Sequence, residues 1–241
     1  DNQKKFDDRV GIQSVSVERF RDEFMKIMSS PIPSVGLKLL EQTGLMALLL
    51  PEVMDCRGCI QKDDRGYHQF DVMDHNIYAC DGAPIEKPFI RLAAFLHDVG
   101  KPAAKIQRTI DGLVINNFYN HEFYSSEITK KLMTRMKFSN AEISYVTHLI
   151  QNHMFHYESN WTDSAVRRFI IKIGKENLND LIDLRLADMY GKYNQPVRLH
   201  DSQACKLLIE LKDRVSALLE QDNALSLKDL KINGNDLILL G

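Results

Sequence analysis

Apolar side chains recur at helical spacing along most of this chain, and few residues interrupt them. Phe20, Phe24 and Ile27 lie three or four residues apart, as on one face of a helix. The 241 residues include only 12 glycines and 7 prolines, fewer than the roughly 12 % of average usage. Glycine and proline are the residues that most often end helices, so their scarcity favours long ones. The sequence therefore predicts an all-α fold, a bundle of many helices.

One stretch departs from the helical pattern. Polar and apolar residues alternate in residues 106–110 and again in 113–115, on either side of Asp111-Gly112. Two alternating runs separated by Asp-Gly are the strongest short-range signal of a β-hairpin. We therefore expect one small hairpin within the helical bundle.

Capping residues predict where several helices begin and end. Residues 139–142 (Ser-Asn-Ala-Glu) form a capping box, and Asn120 is placed to cap the preceding helix. The strongly apolar segment 89–96 runs into Gly100 and Pro102. Glycine at a C-cap followed by proline is a common helix stop, so we expect this helix to end there.

Composition excludes several classes of protein. Hydrophobic residues make up 44 % and charged residues 27 %, which argues against disordered and collagen-like chains. No apolar run approaches the roughly 20 residues that a transmembrane helix needs, so we expect no membrane association.

Four cysteines do not make a disulfide framework in a chain of this length, which favours a reducing, cytoplasmic setting. Cys56 and Cys59 have zinc-knuckle spacing, but a structural zinc site usually needs a second such pair.

The charge balance restricts how the chain can contact nucleic acid. Its net charge is −2, so no overall basic field attracts RNA, and any contact must be local. Basic residues cluster on two predicted helices: Lys130, Lys131, Arg135 and Lys137 on one, and Arg167, Arg168, Lys172 and Lys175 on the other. Such runs are usually solvated faces, and binding of phosphate is the alternative.

The doublet His97-Asp98 is the first candidate for a metal site. It follows a helix built of Phe, Ile, Leu and Ala. Burying an imidazole and a carboxylate without partners costs several kcal/mol, so something is expected to hold them. A divalent metal can bind both at once, whereas hydrogen bonds within the core are the ordinary alternative.

Helical phase selects the other candidate ligands. Asp188 and His153 each lie two helical turns after an inward-facing apolar residue. His75 lies one turn after a predicted helix start, and His121 lies in the first turn of the helix after the hairpin. Together with the doublet, His75 and Asp188 make an imidazole and carboxylate set that suits Mg, Mn, Fe, Co, Ni or Zn. His121 and His153 either complete a second metal position or contact phosphate.

The order of these residues resembles the HD superfamily of metal-dependent phosphohydrolases. Its pattern of His, then His-Asp, then Asp matches His75, His97-Asp98 and Asp188, and 100–102 (Gly-Lys-Pro) follows the doublet as is frequent in that family. The likeness is closer to the C-terminal part of bacterial CCA-adding tRNA nucleotidyltransferases and related poly(A) polymerases. Segments similar to that branch are 16–23, 36–45, 50–52, 71–75, 118–121, 161–168 and 232–237.

This resemblance implies an HD-type bundle and a division of the chain. Residues 1–60 would be a helical neck and body segment, 61–192 the HD metal-dependent phosphohydrolase domain, and 193–241 a helical C-terminal segment. The family's nucleotide-adding head carries a Gly-Ser turn followed by paired aspartates, and no segment here looks similar. We therefore expect that this chain does not add nucleotides by itself and that both its ends are cut from something longer. The head is either removed or encoded beyond the given start, and a head domain of the same polypeptide is a candidate partner.

The resemblance further implies a function and roles for residues. The expected reaction is metal-dependent hydrolysis of 2′,3′-cyclic phosphates, 2′-nucleotides or terminal phosphates on RNA, linked to processing of the tRNA 3′ end. Catalytic roles would fall to Asp98, Lys101 and His121. The two basic clusters, and not the resemblance, suggest Arg167, Arg168, Lys130 and Lys131 as contacts to RNA phosphates. A non-catalytic RNA-binding body with a structural metal site is the alternative. A signalling-nucleotide hydrolase of the wider superfamily is a third reading, but the likeness over 16–52 and 232–237 argues against it.

Overall fold

The computed structural model describes residues 15–61, 69–192 and 202–224, and helices dominate them. The helices are α1 (Val17–Met28), α2 (Pro33–Gln42), α3 (Leu45–Leu49), a 3₁₀ helix (Pro51–Cys56), α4 (Val72–Gly82), α5 (Pro88–Leu96), α6 (Lys101–Ala104), α7 (His121–Arg135), α8 (Asn140–Asn152), α9 (Asp163–Ile173), α10 (Leu178–Gly191) and α11 (Gln203–Ala224). The predicted helical bundle is thereby confirmed. The segment 232–237 of the family likeness lies outside the described residues.

The two strands form the hairpin that the Asp-Gly pair predicts. β1 (Lys105–Ile110) pairs antiparallel with β2 (Leu113–Phe118), with Ile110 opposite Leu113. Asp111 and Gly112 both have positive φ, 52° and 80°, as a two-residue type I′ turn requires. The hairpin predicted from the sequence is thereby confirmed, and its turn lies at Asp111-Gly112 as expected.

The chain divides into two compact units. The first comprises Asp1–Phe155 and Asp180–Val197, and the second comprises His156–Asn179 and Arg198–Gly241. The division at residues 60 and 192 that the family likeness implies stays a prediction.

Helix α5 is the centre of the first unit. Every residue from Ile90 to Leu96 is buried, and the helix packs against α1, α4 and α8. Arg91 is among them, and its guanidinium donates to the carbonyl oxygens of Met28, Ser30 and Ala83. A buried charge is tolerated when hydrogen bonds satisfy it. This arginine thus ties the C-terminal end of α1 to α5.

The helix ends follow the predicted rules in part. The capping box is present: Ser139 Oγ accepts from the Glu142 N–H, and the Glu142 side chain accepts from the Ser139 N–H. Asn120 precedes α7 as predicted, but it has a φ of 59° and its side chain makes no capping bond.

The predicted C-cap at Gly100 is wrong. α5 ends at Leu96, and Gly100, with φ −84°, precedes α6 instead. A Cβ atom at this position would lie 2.6 Å from the His121 carbonyl oxygen. Glycine is required here because the start of α7 approaches the backbone closely, not because a helix ends.

In the second unit, α9 packs against α11. Tyr157, Trp161 and Phe169 stack edge to face at centroid distances of 5.4 and 5.8 Å. Glu210 on α11 accepts hydrogen bonds from the hydroxyls of Tyr157 and Ser159, at 2.6 and 2.7 Å.

None of the helices in the described residues is both long and apolar enough to cross a membrane.

Candidate metal centre

Six imidazole and carboxylate side chains meet inside the first unit. Each is at most 5 % exposed, and they are His75, His97, Asp98, His121, His153 and Asp188. These are the six candidate ligands that helical phase and the family likeness select. We refer to them below as the His-Asp cluster.

Five separate elements deliver these side chains to one point. His75 lies on α4, one turn after Asp71, which caps that helix by accepting from the Asp74 N–H. His97 and Asp98 follow the last residue of the buried α5. The other three come from the first residue of α7 (His121), the C-cap of α8 (His153) and α10 (Asp188).

Asp98 is the centre of the cluster. Its Oδ2 lies 3.2 Å from Nε2 of both His75 and His97, and its Oδ1 lies 3.0 Å from Nε2 of His121. Nε2 of His153 is 3.8 Å from the same Oδ1. Asp188 completes the group, with its Oδ1 3.2 Å from His75 Nε2. Each carboxylate therefore faces several ring nitrogens at once.

The backbone fixes which nitrogen each of three rings turns inward. Nδ1 of His97, His121 and His153 each lies 2.7 Å from the carbonyl oxygen three residues earlier in the chain. Only an N–H can pair with a carbonyl, so Nε2 of the neutral ring carries a lone pair that points into the cluster. Histidines that bind metals almost always donate their second nitrogen in this way.

The inward nitrogens of His121 and His153 lie too close to each other to be stable as neutral lone pairs, since their Nε2 atoms are 3.4 Å apart. Nε2 of His75 and Nε2 of His97 approach to 3.1 Å, a distance at which a proton on one forms a hydrogen bond to the other. A cation bound between His121 and His153 removes the repulsion of their lone pairs. Sets of three ligand atoms lie within 4.8 Å of one another, one set from His75, His97 and Asp188 and another that includes His97, Asp98 and His153. The donors therefore fit one or two divalent ions of the borderline class.

The local field also favours positive charge at this point. Burial opposes a charged His97, but the carboxylates of Asp98 and Asp188 outweigh burial and raise its pKa to about 9. Burial and the neighbouring imidazole of His97 lower the pKa of His153 to about 3. Burial disfavours ionised Asp98, yet His97 and Lys101 hold its pKa well below the ordinary value. Two buried carboxylates that stay ionised need a cation beside them.

A close approach of backbones brings Asp188 to His75. A Cβ atom on Gly191 would lie 2.6 Å from the His75 carbonyl oxygen and 2.9 Å from Cβ of Ala79. Only glycine lets α10 lie this near α4. Lys87, before α5, donates to both Asp180 and Asp183 at 2.8 and 2.7 Å. Packing and ion pairs thus fix α10 on both sides.

Comparison with known proteins agrees with this arrangement of ligands. The family model described as the HD domain matches residues 65–192, which is more than half of the chain. The chain belongs to the HD-domain family. A second model, described as a probable RNA and SrmB-binding site of polymerase A, matches residues 10–56.

The chain is also similar to tRNA nucleotidyltransferases. The chain is 33 % identical to the A-adding tRNA nucleotidyltransferase of Deinococcus radiodurans over 71 % of its own length and 38 % of the relative. It is 31 % identical to the CC-adding enzyme of Thermus thermophilus over the same shares. The multifunctional CCA protein of Pasteurella multocida is 24 % identical over 54 % of this chain and 31 % of that protein. The resemblance seen in the sequence is confirmed, and the chain spans less than two fifths of these relatives.

Lys101 of the HD domain lies beside the cluster and is buried. Its Nζ is 2.6 Å from Asp98 Oδ2 and 2.5 Å from Oε1 of Gln61. The ammonium thus neutralises one oxygen of Asp98 while Gln61 fixes its position. The sequence suggested Lys101 as a supplementary charge for catalysis, and Gln61 was not foreseen.

A cavity of about 260 Å³ opens onto the His-Asp cluster of the HD domain. Its lining adds side chains that sequence reasoning missed, notably Tyr119, Arg185 and Lys192. Arg185 precedes Asp188 by one helical turn and donates from Nη1 to Asp188 Oδ2 at 2.5 Å. That spacing was the available signal, since residues three apart on a helix share a face.

The predicted RNA-contacting residues lie on two helices. Lys130 and Lys131 are exposed on α7 of the first unit, and neither lines the cavity. Arg168 is exposed and Arg167 half-buried on α9 of the second unit. Their assignment to RNA stays a prediction.

Cys56 and Cys59 are both buried, and burial raises the pKa of each thiol. Among the described residues, neither belongs to a group of three or more histidine, cysteine or carboxylate side chains close enough to share a metal ion.

Proposed function

We propose that this HD domain hydrolyses phosphoesters of nucleotides or RNA ends with the help of a divalent metal. The observation that carries the proposal is the His-Asp cluster: four imidazoles around the buried carboxylate of Asp98, with Asp188 beside them. Imidazole and carboxylate donors together suit the ions that catalyse phosphoester hydrolysis. The family match supports the same class of reaction.

The side chains divide into two roles in this proposal. His75, His97, Asp98 and Asp188 hold the metal, which is Mg, Mn, Fe, Co, Ni or Zn. His121 and His153 complete a second metal position or bind the phosphate. A bound ion supplies an activated water and polarises the phosphoryl group. Lys101 adds a fixed positive charge beside Asp98, where negative charge develops on the phosphate.

The substrate class follows from the segment before the HD domain. Residues 10–56 match a model named for RNA binding, and the relatives add nucleotides to tRNA. We infer that the partner is a tRNA or another RNA 3′ end, in a cytoplasmic setting and beside a nucleotidyltransferase head of the same polypeptide. The esters to test are 2′,3′-cyclic phosphates, 2′-nucleotides and terminal phosphates.

The decisive variant removes the central carboxylate. Asp98→Ala is expected to abolish hydrolysis of 2′,3′-cyclic AMP in the presence of Mn²⁺, Ni²⁺ or Mg²⁺, because the imidazoles then lose their shared counter-charge. Asp213→Ala, on the exposed face of α11, is the matched control and should keep the activity. Circular dichroism checks that both variants are folded. Unchanged activity in Asp98→Ala would remove the proposed site.

A non-catalytic RNA-binding module is the second candidate. The observations that favour it are the match at residues 10–56 and the exposed basic residues Lys130, Lys131 and Arg168. It predicts tRNA binding that weakens steeply with salt, because lysine and arginine release counterions from phosphates. Filter binding to tRNA at several salt concentrations tests this, with Asp98→Ala alongside. Full binding by that variant in a protein that hydrolyses none of the esters would favour the second candidate.

A further inference from the structure

Arg185 is held at the edge of the His-Asp cluster with part of its guanidinium uncommitted. Nη1 donates to Asp188 Oδ2 at 2.5 Å and lies 3.9 Å from the Met154 sulfur. Among the described residues, Nη2 and Nε have no hydrogen-bond partner. The side chain is 23 % exposed and lines the cavity. Asp188 therefore orients the guanidinium and leaves two of its nitrogens free to donate elsewhere.

Positive charge on the cavity wall exceeds the negative charge. Lys101, Arg185 and Lys192 line it together with only two carboxylates, Asp98 and Asp188. Both carboxylates face the imidazoles. A divalent ion in the cluster would increase the excess further. The ligand that such a wall attracts is an anion with several oxygens, and a planar guanidinium pairs best with phosphate.

An aromatic ring lies at the same cavity. Tyr119 is 61 % exposed and lines the cavity two residues before His121. A cavity of 260 Å³ is smaller than the roughly 300–1,000 Å³ of a typical small-molecule site. It holds a phosphate and part of a sugar, so the base of a nucleotide would lie outside, where an exposed aromatic ring can stack on it.

We infer that Arg185 binds the phosphate of the substrate and that Tyr119 stacks on the adjoining base. The inference rests on the proposed function, since it assigns residues of the same site to the phosphate and to the base of its substrate. Lys192 adds a positive charge to the wall of the cavity where the phosphate would bind. Arg185 and Tyr119 together would discriminate nucleotides from other phosphorylated compounds.

The test measures binding and not turnover. The full chain is saturated with Mn²⁺ and titrated calorimetrically with inorganic phosphate and with a phosphonate analogue of adenosine 2′-monophosphate, in which carbon replaces the ester oxygen so that the probe cannot be hydrolysed. Arg185→Gln is expected to weaken the binding of both probes about tenfold or more, because a charge-assisted hydrogen bond is lost. Tyr119→Ala is expected to weaken the binding of the nucleotide probe about fivefold or more and to leave the binding of phosphate unchanged. Tyr119→Phe should bind both probes like the wild type.

Matched controls and the manganese content make the outcome decisive. Arg19→Gln and Phe123→Ala change exposed residues that do not line the cavity, and both should bind like the wild type. Arg185→Gln should keep its manganese. Wild-type affinity in Arg185→Gln, loss of its manganese, or equal weakening of both probes by Tyr119→Ala would overturn the inference. A protein that shows the expected binding pattern but hydrolyses no ester would refute the proposed function alone.

Discussion

At the scale of single residues, the geometry of the His-Asp cluster depends on how closely the helices that carry its side chains pack together. Gly191 illustrates this, because its Cα lies against the backbone of His75 on another helix. The distance of 3.2 Å between His75 Nε2 and Asp188 Oδ1 exists only while that approach is possible. The geometry of the proposed metal ligands is therefore set partly by residues, such as Gly191, that would not contact the metal themselves.

Gly191→Ala is expected to weaken metal binding and to destabilise the fold. The new methyl group would lie 2.6 Å from the His75 carbonyl oxygen, so α4 and α10 must separate at a cost of about 1–3 kcal/mol. Manganese titration and urea unfolding measure the two effects. Gly36→Ala is the control, because its Cβ would meet the side chain of Ile27 on α1, which is no part of the His-Asp cluster, and manganese affinity should not change. Equal affinity in Gly191→Ala and wild type would contradict this account of the packing.

At the scale of helices, Arg91 is the main polar link between α1 and α5. Its guanidinium satisfies carbonyl groups at the end of α1 that the helix itself leaves unpaired. Arg91→Met keeps much of the volume but leaves buried acceptors unsatisfied, so we expect a loss of at least about 2 kcal/mol in the free energy of unfolding. Urea unfolding followed by circular dichroism measures it. Arg19→Met on the exposed face of α1 should cost little, and a similar cost for both variants would show that the buried hydrogen bonds do not matter.

Helix α11 offers a test of pH dependence. Hydrogen bonds from Tyr157 and Ser159, with the charge of Arg214, lower the pKa of Glu210 below its ordinary value of 4.5. A lowered native pKa stabilises the fold at pH above 4.5, and this contribution is lost as the pH falls through the native value. Glu210→Gln should therefore lower the unfolding midpoint at pH 7 and converge with the wild type towards pH 3.

The fluorescence of Trp161, the one tryptophan of the sequence, reports on unfolding near this helix. Glu220→Gln, exposed on the same helix, is the control and should follow the wild type at both pH values. A constant difference between Glu210→Gln and wild type across the pH range would contradict the role given to Glu210.

Rules that depend only on neighbouring residues in the sequence predicted the helices and the hairpin. They did not predict where the backbones of different elements come into close contact. The Asp111-Gly112 turn was recognisable because its chemistry lies within four residues. Gly100 was misread as a helix stop because its real constraint is the backbone of His121, which no local rule contains. The inward phase of Asp188 was readable from its helix, whereas the sequence analysis did not select Arg185, three residues earlier on the same helix.

At the scale of the whole molecule, the chain combines an HD domain with a segment that matches an RNA-binding model. The fold delivers histidines and aspartates from five elements to one buried point, where we infer that they bind a divalent metal. Activity and substrate preference would follow from that binding.

The metal content of the purified chain tests this claim most directly. The wild type, exposed to Mn²⁺ and freed of excess metal by gel filtration, is expected to carry the ion in stoichiometric amount by mass spectrometry. His97→Ala and Asp98→Ala should lose it, and His156→Ala, an exposed histidine, should retain it. A metal-free wild type, or an Asp98→Ala variant with the same metal content as the wild type, would contradict the account.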